Sequence, residues 1–163
     1  MESLFSNLSK ILTKQNQTLA ALLAAAWEHN TALRKNDTKA ILATSFQQEK
    51  LSRELIVQDG EREEIQRKLA GEHRLDKPPV LSALLSYAPA AAAEDLKELS
   101  RSFKATLTQL SEIKDLNSIL ARRGQIITEQ LLKVIRPKNG NTYCESGKME
   151  DRAQPQPFVD KTI

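Results

Sequence analysis

The chain has 163 residues, one domain's worth, enough for a real core but with few residues to spare for a deep active-site cavity. Five Gly, six Pro and 4% aromatic residues stand against abundant Ala, Leu, Gln, Glu, Lys and Arg, which are good helix formers and poor strand formers, so an all-α fold is expected. The formal charge of +3 and pI of 9.0 come from acids and bases interleaved along the chain, the pattern of solvated helix faces, which argues against a phosphate-binding stripe and against nucleic acid as a partner.

The first helix is predicted over residues 2–35, with Leu4, Leu8, Ile11, Leu12, Leu19, Leu22, Leu23, Ala26 and Leu33 on one side. Within it, LAALLAAAW at 19–27 follows Lys10 and Lys14 and superficially imitates a signal peptide. That stretch is too short to span a bilayer, Glu2 breaks the basic region before it, and the residues ahead of it already keep helical spacing. A buried Ala-rich segment allowing close helix approach is the preferred reading, and no membrane insertion is expected. Asn36 suits a left-handed C-terminal position and Asp37 an N-cap, so the pair reads as a tight turn between two helices.

The second helix is predicted over 38–71, carrying Ile41, Leu42, Phe46, Leu51, Leu55, Ile56, Ile65 and Leu69, with Gly60 weakening it by about 1 kcal/mol relative to Ala. Pro78 and Pro79 suit a helix start, where the missing N–H has no partner to lose, and a short connecting helix over 79–87 follows. Pro89 ends it and opens the fourth helix, predicted over 90–136, whose Glu94 and Asp95 favour the positive end of the helix dipole.

That fourth helix carries the strongest periodic signal. Steps of three and four residues give Leu96, Leu99, Phe103, Thr106, Leu110, Ile113, Asn117, Leu120, Gly124, Ile127, Leu131 and Val134, of which nine are apolar, where the chain's 40% apolar content predicts about five. Leu107, Leu116, Ile119, Ile126, Leu132 and Ile135 widen the stripe, which suits a bundle more than a two-stranded zipper. Asn117 on this seam either fixes register or hydrogen-bonds across helices, and Gly124 allows a close approach or a slight bend. Past Pro137, residues 137–163 are polar and turn-rich with no apolar period, the composition of a flexible tail that orders on a partner. The expected architecture is therefore an elongated antiparallel helical bundle or coiled coil over 1–136, made of three long helices and one short connecting helix, plus that tail. At 1.5 Å per residue the fourth helix spans roughly 70 Å and the first two roughly 50 Å each, so part of it must overhang; if it runs antiparallel to the second helix, that part is its C-terminal end, leaving Ile126, Ile127, Leu131, Val134 and Ile135 less covered. Exposed apolar surface of that kind marks a binding site.

Catalytic and cofactor chemistry finds no support. His29 and His73 are isolated, Cys144 stands alone, and neither a P-loop nor a dinucleotide Gly motif occurs, so neither a cofactor, a metal nor an enzyme activity is expected. Glu61, Glu63 and Glu64 are mixed with Arg62, Arg67 and Lys68, which reads as an ion-paired helix face. A single cysteine makes no intramolecular disulfide, so nothing demands an oxidising compartment and a cytoplasmic site is favoured.

Three segments carry a family resemblance: LATSFQQEKLSRELIVQDGEREEI at 42–65, LNSILARRGQIITEQLLKVI at 116–135 and NTYCESGK at 141–148. In this order and spacing, across nearly the whole chain to Lys148, the sequence resembles the FlgN family of flagellar export chaperones. The resemblance implies a cytosolic chaperone that binds the hook-filament junction proteins FlgK and FlgL and delivers them to the type III export gate. It also implies client capture by the C-terminal region and docking of a tail Tyr to the gate protein FlhA, for which Tyr143 is the match. The family often follows that Tyr with Gly, whereas Cys144 stands here. The candidate partner-binding residues are accordingly Asn117, Leu120, Ile127, Leu131, Val134 and Tyr143. The competing reading is a coiled-coil scaffold or self-associating structural protein with no secretion role, and a homodimer remains open.

Overall fold

The structure, a computed structural model, describes residues 2–73 and 81–135, apart from the side chains of residues 2 and 82. The expected helix start at Pro78 and Pro79, the tail from 137 and Tyr143 lie outside the described residues. Four helices occur in the described part: α1 Glu2–Lys35, α2 Thr38–Glu72, α3 Leu81–Leu84 continued by a 3-10 turn at Leu85–Tyr87, and α4 Ala90–Ile135. By its contacts the chain divides into two units, Met1–Gly124 and Gln125–Ile163, with the division inside α4.

Unit Met1–Gly124 is a helical bundle built around α1. The α1–α2 corner forms as its two residues dictate. Asn36 takes φ 53°, and the N–H groups of Asn36 and Asp37 donate to the carbonyls of Leu33 and Ala32 at 3.1 and 3.0 Å, closing α1 with a left-handed cap. Asp37 then opens α2, its carboxylate accepting from the Ala40 N–H at 3.1 Å. Asp37→Ala is expected to cost about 1 kcal/mol of stability, read as a lower denaturation midpoint at unchanged slope.

Hydrogen bonds between helices set the register. His29 meets Thr44, Thr18 meets Gln58 and Gln15 meets Asp59, so α2 runs antiparallel to α1. Asn16 donates to the Leu99 carbonyl and Asn30 to Asn117, so α4 runs parallel to α1. Flanked on two sides, α1 buries positions along its whole length, including Ala25, Ala26 and Ala32, whose small side chains fit a close helix contact; the signal-peptide-like stretch is thus interior to α1, with Leu19 and Leu22 buried as well.

The apolar core gathers at one end of this unit. Phe5, Leu8, Ile11 and Leu12 of α1 meet Leu69, Leu84 and Leu96, one from each of the other three helices, with Leu4, Ile65, Leu81, Leu85 and Leu99 packed around them. The short helix and its 3-10 turn serve to carry Leu84 into this cluster. The His73 ring, at the α2 C-cap, lies 4.6 Å from the Tyr87 ring and 6.4 Å from that of Phe5. Farther along, the interior turns polar, with Gln15, Thr18, Asn30, Thr44, Gln58 and Asn117 all buried.

The apolar residues of α2 divide between two faces. Leu42, Phe46 and Ile56 are exposed at 59, 62 and 72%. At 100° per residue they lie roughly opposite Thr44, the position that contacts α1, whereas Leu51, Leu55 and Leu69 lie within about 20° of it. The helix therefore has two apolar faces, and α1 covers only one.

Candidate protein-binding site

Along α4 the seam changes character with position. Leu96, Ile113 and Asn117 are buried, Leu99, Phe103, Thr106, Leu110 and Leu120 are half-buried, and every residue from Ala121 to Ile135 is exposed. Within the unit Met1–Gly124, α1 and α4 are hydrogen-bonded at Ala26 and Asn30, a few residues before α1 stops at Lys35.

Asn117 sits inside the bundle. Its Nδ2 donates to the Ala26 carbonyl at 2.9 Å, and its Oδ1 accepts from Asn30 Nδ2 at 2.8 Å. Two of its hydrogen-bonding groups are thus used on α1, which holds α4 at one axial position. Leu120, one turn on, is half-buried at the margin of the covered stretch. Gly124 has nothing within 4 Å of where a Cβ would stand, so no close approach requires glycine there.

The described part of the second unit, residues 125–135, is an amphipathic helical segment taken by itself. Ile127, Leu131, Leu132, Val134 and Ile135 fall on one face about 160° wide, while Glu129, Gln130 and Lys133 fall on the other, with Ile126 among them. Ile127 and Leu131 are each 57% exposed and Val134 82%. Large apolar side chains at that exposure, grouped on one helix face, form a surface able to pair with the apolar stripe of another helix. Of the residues singled out from sequence, Ile127, Leu131 and Val134 share this face; Leu120 and Asn117 belong to the other unit, and Tyr143 lies outside the described residues. Leu132, read from sequence only as widening the seam, belongs to the exposed face as fully as Leu131. Its place follows from the 100° step between neighbouring residues.

The acidic stretch of α2 is an ion-paired face. Lys68 Nζ stands 2.8 Å from Glu64 Oε1, and this hydrogen bond together with the lysine's charge holds the Glu64 carboxyl below the usual carboxylate range. Whatever this exposed pair contributes is present above the unfolded-chain value and fades as pH falls through the lowered one. Among the described residues no cluster of three or more His, Cys, Asp or Glu is placed to hold a metal ion, and no helix is long and apolar enough to cross a membrane.

In comparison with known proteins, a family model described as FlgN protein matches residues 1–151. No curated protein and no solved structure matches the chain.

Proposed function

The chain belongs to the FlgN family of flagellar chaperones, and from that premise we propose that it binds the hook-filament junction proteins FlgK and FlgL in the cytoplasm and delivers them to the export gate protein FlhA. The observation that carries the reading is the exposed apolar face of α4 formed by Ile127, Leu131 and Val134. A chaperone of this kind needs an apolar helical surface that can pair with an amphipathic segment of its client, and it shields that segment by helix-to-helix contact without catalysis. The polar composition of residues 137–163 fits a segment that orders on a second partner, and Tyr143 is the residue proposed to meet FlhA.

Leu120 extends the proposed client surface at its bundle end. Asn117, proposed from sequence as a partner residue, acts through α4 by fixing where that helix stands on α1.

Replacing Ile127 and Leu131 by Ser is expected to weaken FlgK and FlgL binding about thirtyfold, near 2 kcal/mol, because each exposed side chain gains only part of the transfer energy of full burial. Calorimetry with purified clients measures this, and the far-ultraviolet circular dichroism should stay that of the unmodified chain. Undiminished client binding by the doubly substituted protein sinks the assignment. Tyr143→Ala is the companion variant, expected to keep the client and lose FlhA.

A further inference from the structure

The second apolar face of α2 is not used by the bundle or by the client reading. Its axis of positions is Lys39, Leu42, Phe46, Glu49, Arg53, Ile56, Gly60 and Glu63, all exposed, at spacings that alternate three and four residues without a break. That is the period of a coiled-coil seam. Val57, 62% exposed, flanks it.

Read from its two ends, the stripe is complementary to itself. Turning the helix end for end about Leu51 sets Phe46 opposite Ile56 and Leu42 opposite Gly60. It also sets Glu49 opposite Arg53 and Lys39 opposite Glu63. Every charge meets its opposite and every large apolar residue meets an apolar residue or a glycine. A parallel pairing in register instead places Glu49 on Glu49, Arg53 on Arg53 and Lys39 on Lys39, which like-charge repulsion disfavours.

Two local features agree with this arrangement. Glu49 and Arg53 already form an ion pair along the helix, so two copies related by a two-fold axis bring four alternating charges together at its centre. Gly60 has nothing within 4 Å of a built Cβ, so its own chain supplies no packing reason for a glycine in the middle of a 35-residue helix, whereas the side chain of Leu42 from a second copy needs that space.

We propose that α2 is a homodimerisation surface, on which two copies of this chain pair antiparallel about a two-fold axis at Leu51. The occupant is a second copy and not an unrelated helix because the self-complementary charge order is a property that only an isologous contact requires. The surface lies on α2 alone and is separate from the α4 face assigned to clients, so dimerisation and client binding succeed or fail independently.

Sedimentation equilibrium of the full chain over a wide concentration range tests it. The weight-average mass should rise with concentration from 18.3 kDa toward twice that value. Phe46→Glu and Arg53→Glu, both at exposed positions that leave the bundle interior untouched, should each raise the dimer dissociation constant about tenfold or more. The charge-swapped double variant Glu49→Arg with Arg53→Glu restores the alternation at the axis and should recover most of what Arg53→Glu loses. A mass of 18.3 kDa at every concentration overturns the proposal, as does a dimer indifferent to Phe46→Glu. A double variant no better than Arg53→Glu alone overturns the antiparallel register.

Discussion

Leu8→Ala is expected to destabilise the protein by about 4 kcal/mol, within the range of roughly 2–5 found for buried leucines. Leu8 is 0% exposed, at a place where side chains from four helices converge, in a cluster that also holds Leu69, Leu84 and Leu96. Truncation removes one methine and two methyl carbons from an apolar environment and leaves a void whose walls belong to four separate elements. Those walls cannot all move in at once, since α1, α2 and α4 are also fixed by register bonds farther along, so the cavity term should fall toward the high end. Leu8→Met, which keeps the volume, should cost less than about 1.5 kcal/mol. Equilibrium denaturation measures both. A Leu8→Ala cost no greater than the methionine cost would mean that the end of the bundle is loosely packed and that the short helix α3 is not anchored by it.

That cluster was largely legible in the sequence, because Leu8, Ile11, Leu12 and Leu96 lie on the apolar period of their helices. So was the corner at Asn36 and Asp37, where the chemistry of two residues decides the geometry without help from the rest of the chain. The α4 seam was legible as a period, and the lengths of the helices required an overhang whose end depended on the direction of α4. The two faces of α2 were written in the sequence as well: Leu42, Phe46, Ile56 and Val57 cannot share a side with Leu51, Leu55 and Leu69 at 100° per residue.

The polar interior is a different matter. Gln15, Thr18 and Gln58 are surface residues by type, like the exposed Gln17 and Gln47, and only the first three stand on the spacing of the buried stripe. Gln58 is wholly buried because Thr18 stands opposite, accepting its Nε2 at 2.9 Å, and because Glu54 one turn earlier accepts as well at 3.0 Å. Such positions depend on the axial offset between two helices, which one residue of slip would change. Side-chain amides therefore record the register of this bundle, and the sequence could not reveal them until the register was known.

The clearest case is Asn117, and substituting it yields a second large expected effect. Asn117→Ala should cost about 2–3 kcal/mol, because it strips the partner from the buried Asn30 amide, which is 4% exposed, and takes a donor from the Ala26 carbonyl. The carbonyl loss is the smaller part, since that oxygen has two lone pairs and also lies within the hydrogen-bonded run of α1. If the penalty is an orphaned amide and not lost packing, removing both amides should relieve it. Asn30→Leu together with Asn117→Leu is therefore expected to return stability to within about 1 kcal/mol of the unmodified chain, giving a coupling between the two positions of roughly 1–2 kcal/mol in a double-mutant cycle. The repaired variant should still differ in one respect. With leucines at both sites the α1–α4 contact becomes a run of interchangeable apolar residues, and nothing then penalises a sliding α4, so amide hydrogen exchange in residues 110–120 should quicken even though global stability is restored. Exchange in that stretch as slow as in the unmodified protein would show that apolar packing alone sets the position of α4, and the Asn pair would then be a tolerated cost with no part in placing the binding helix.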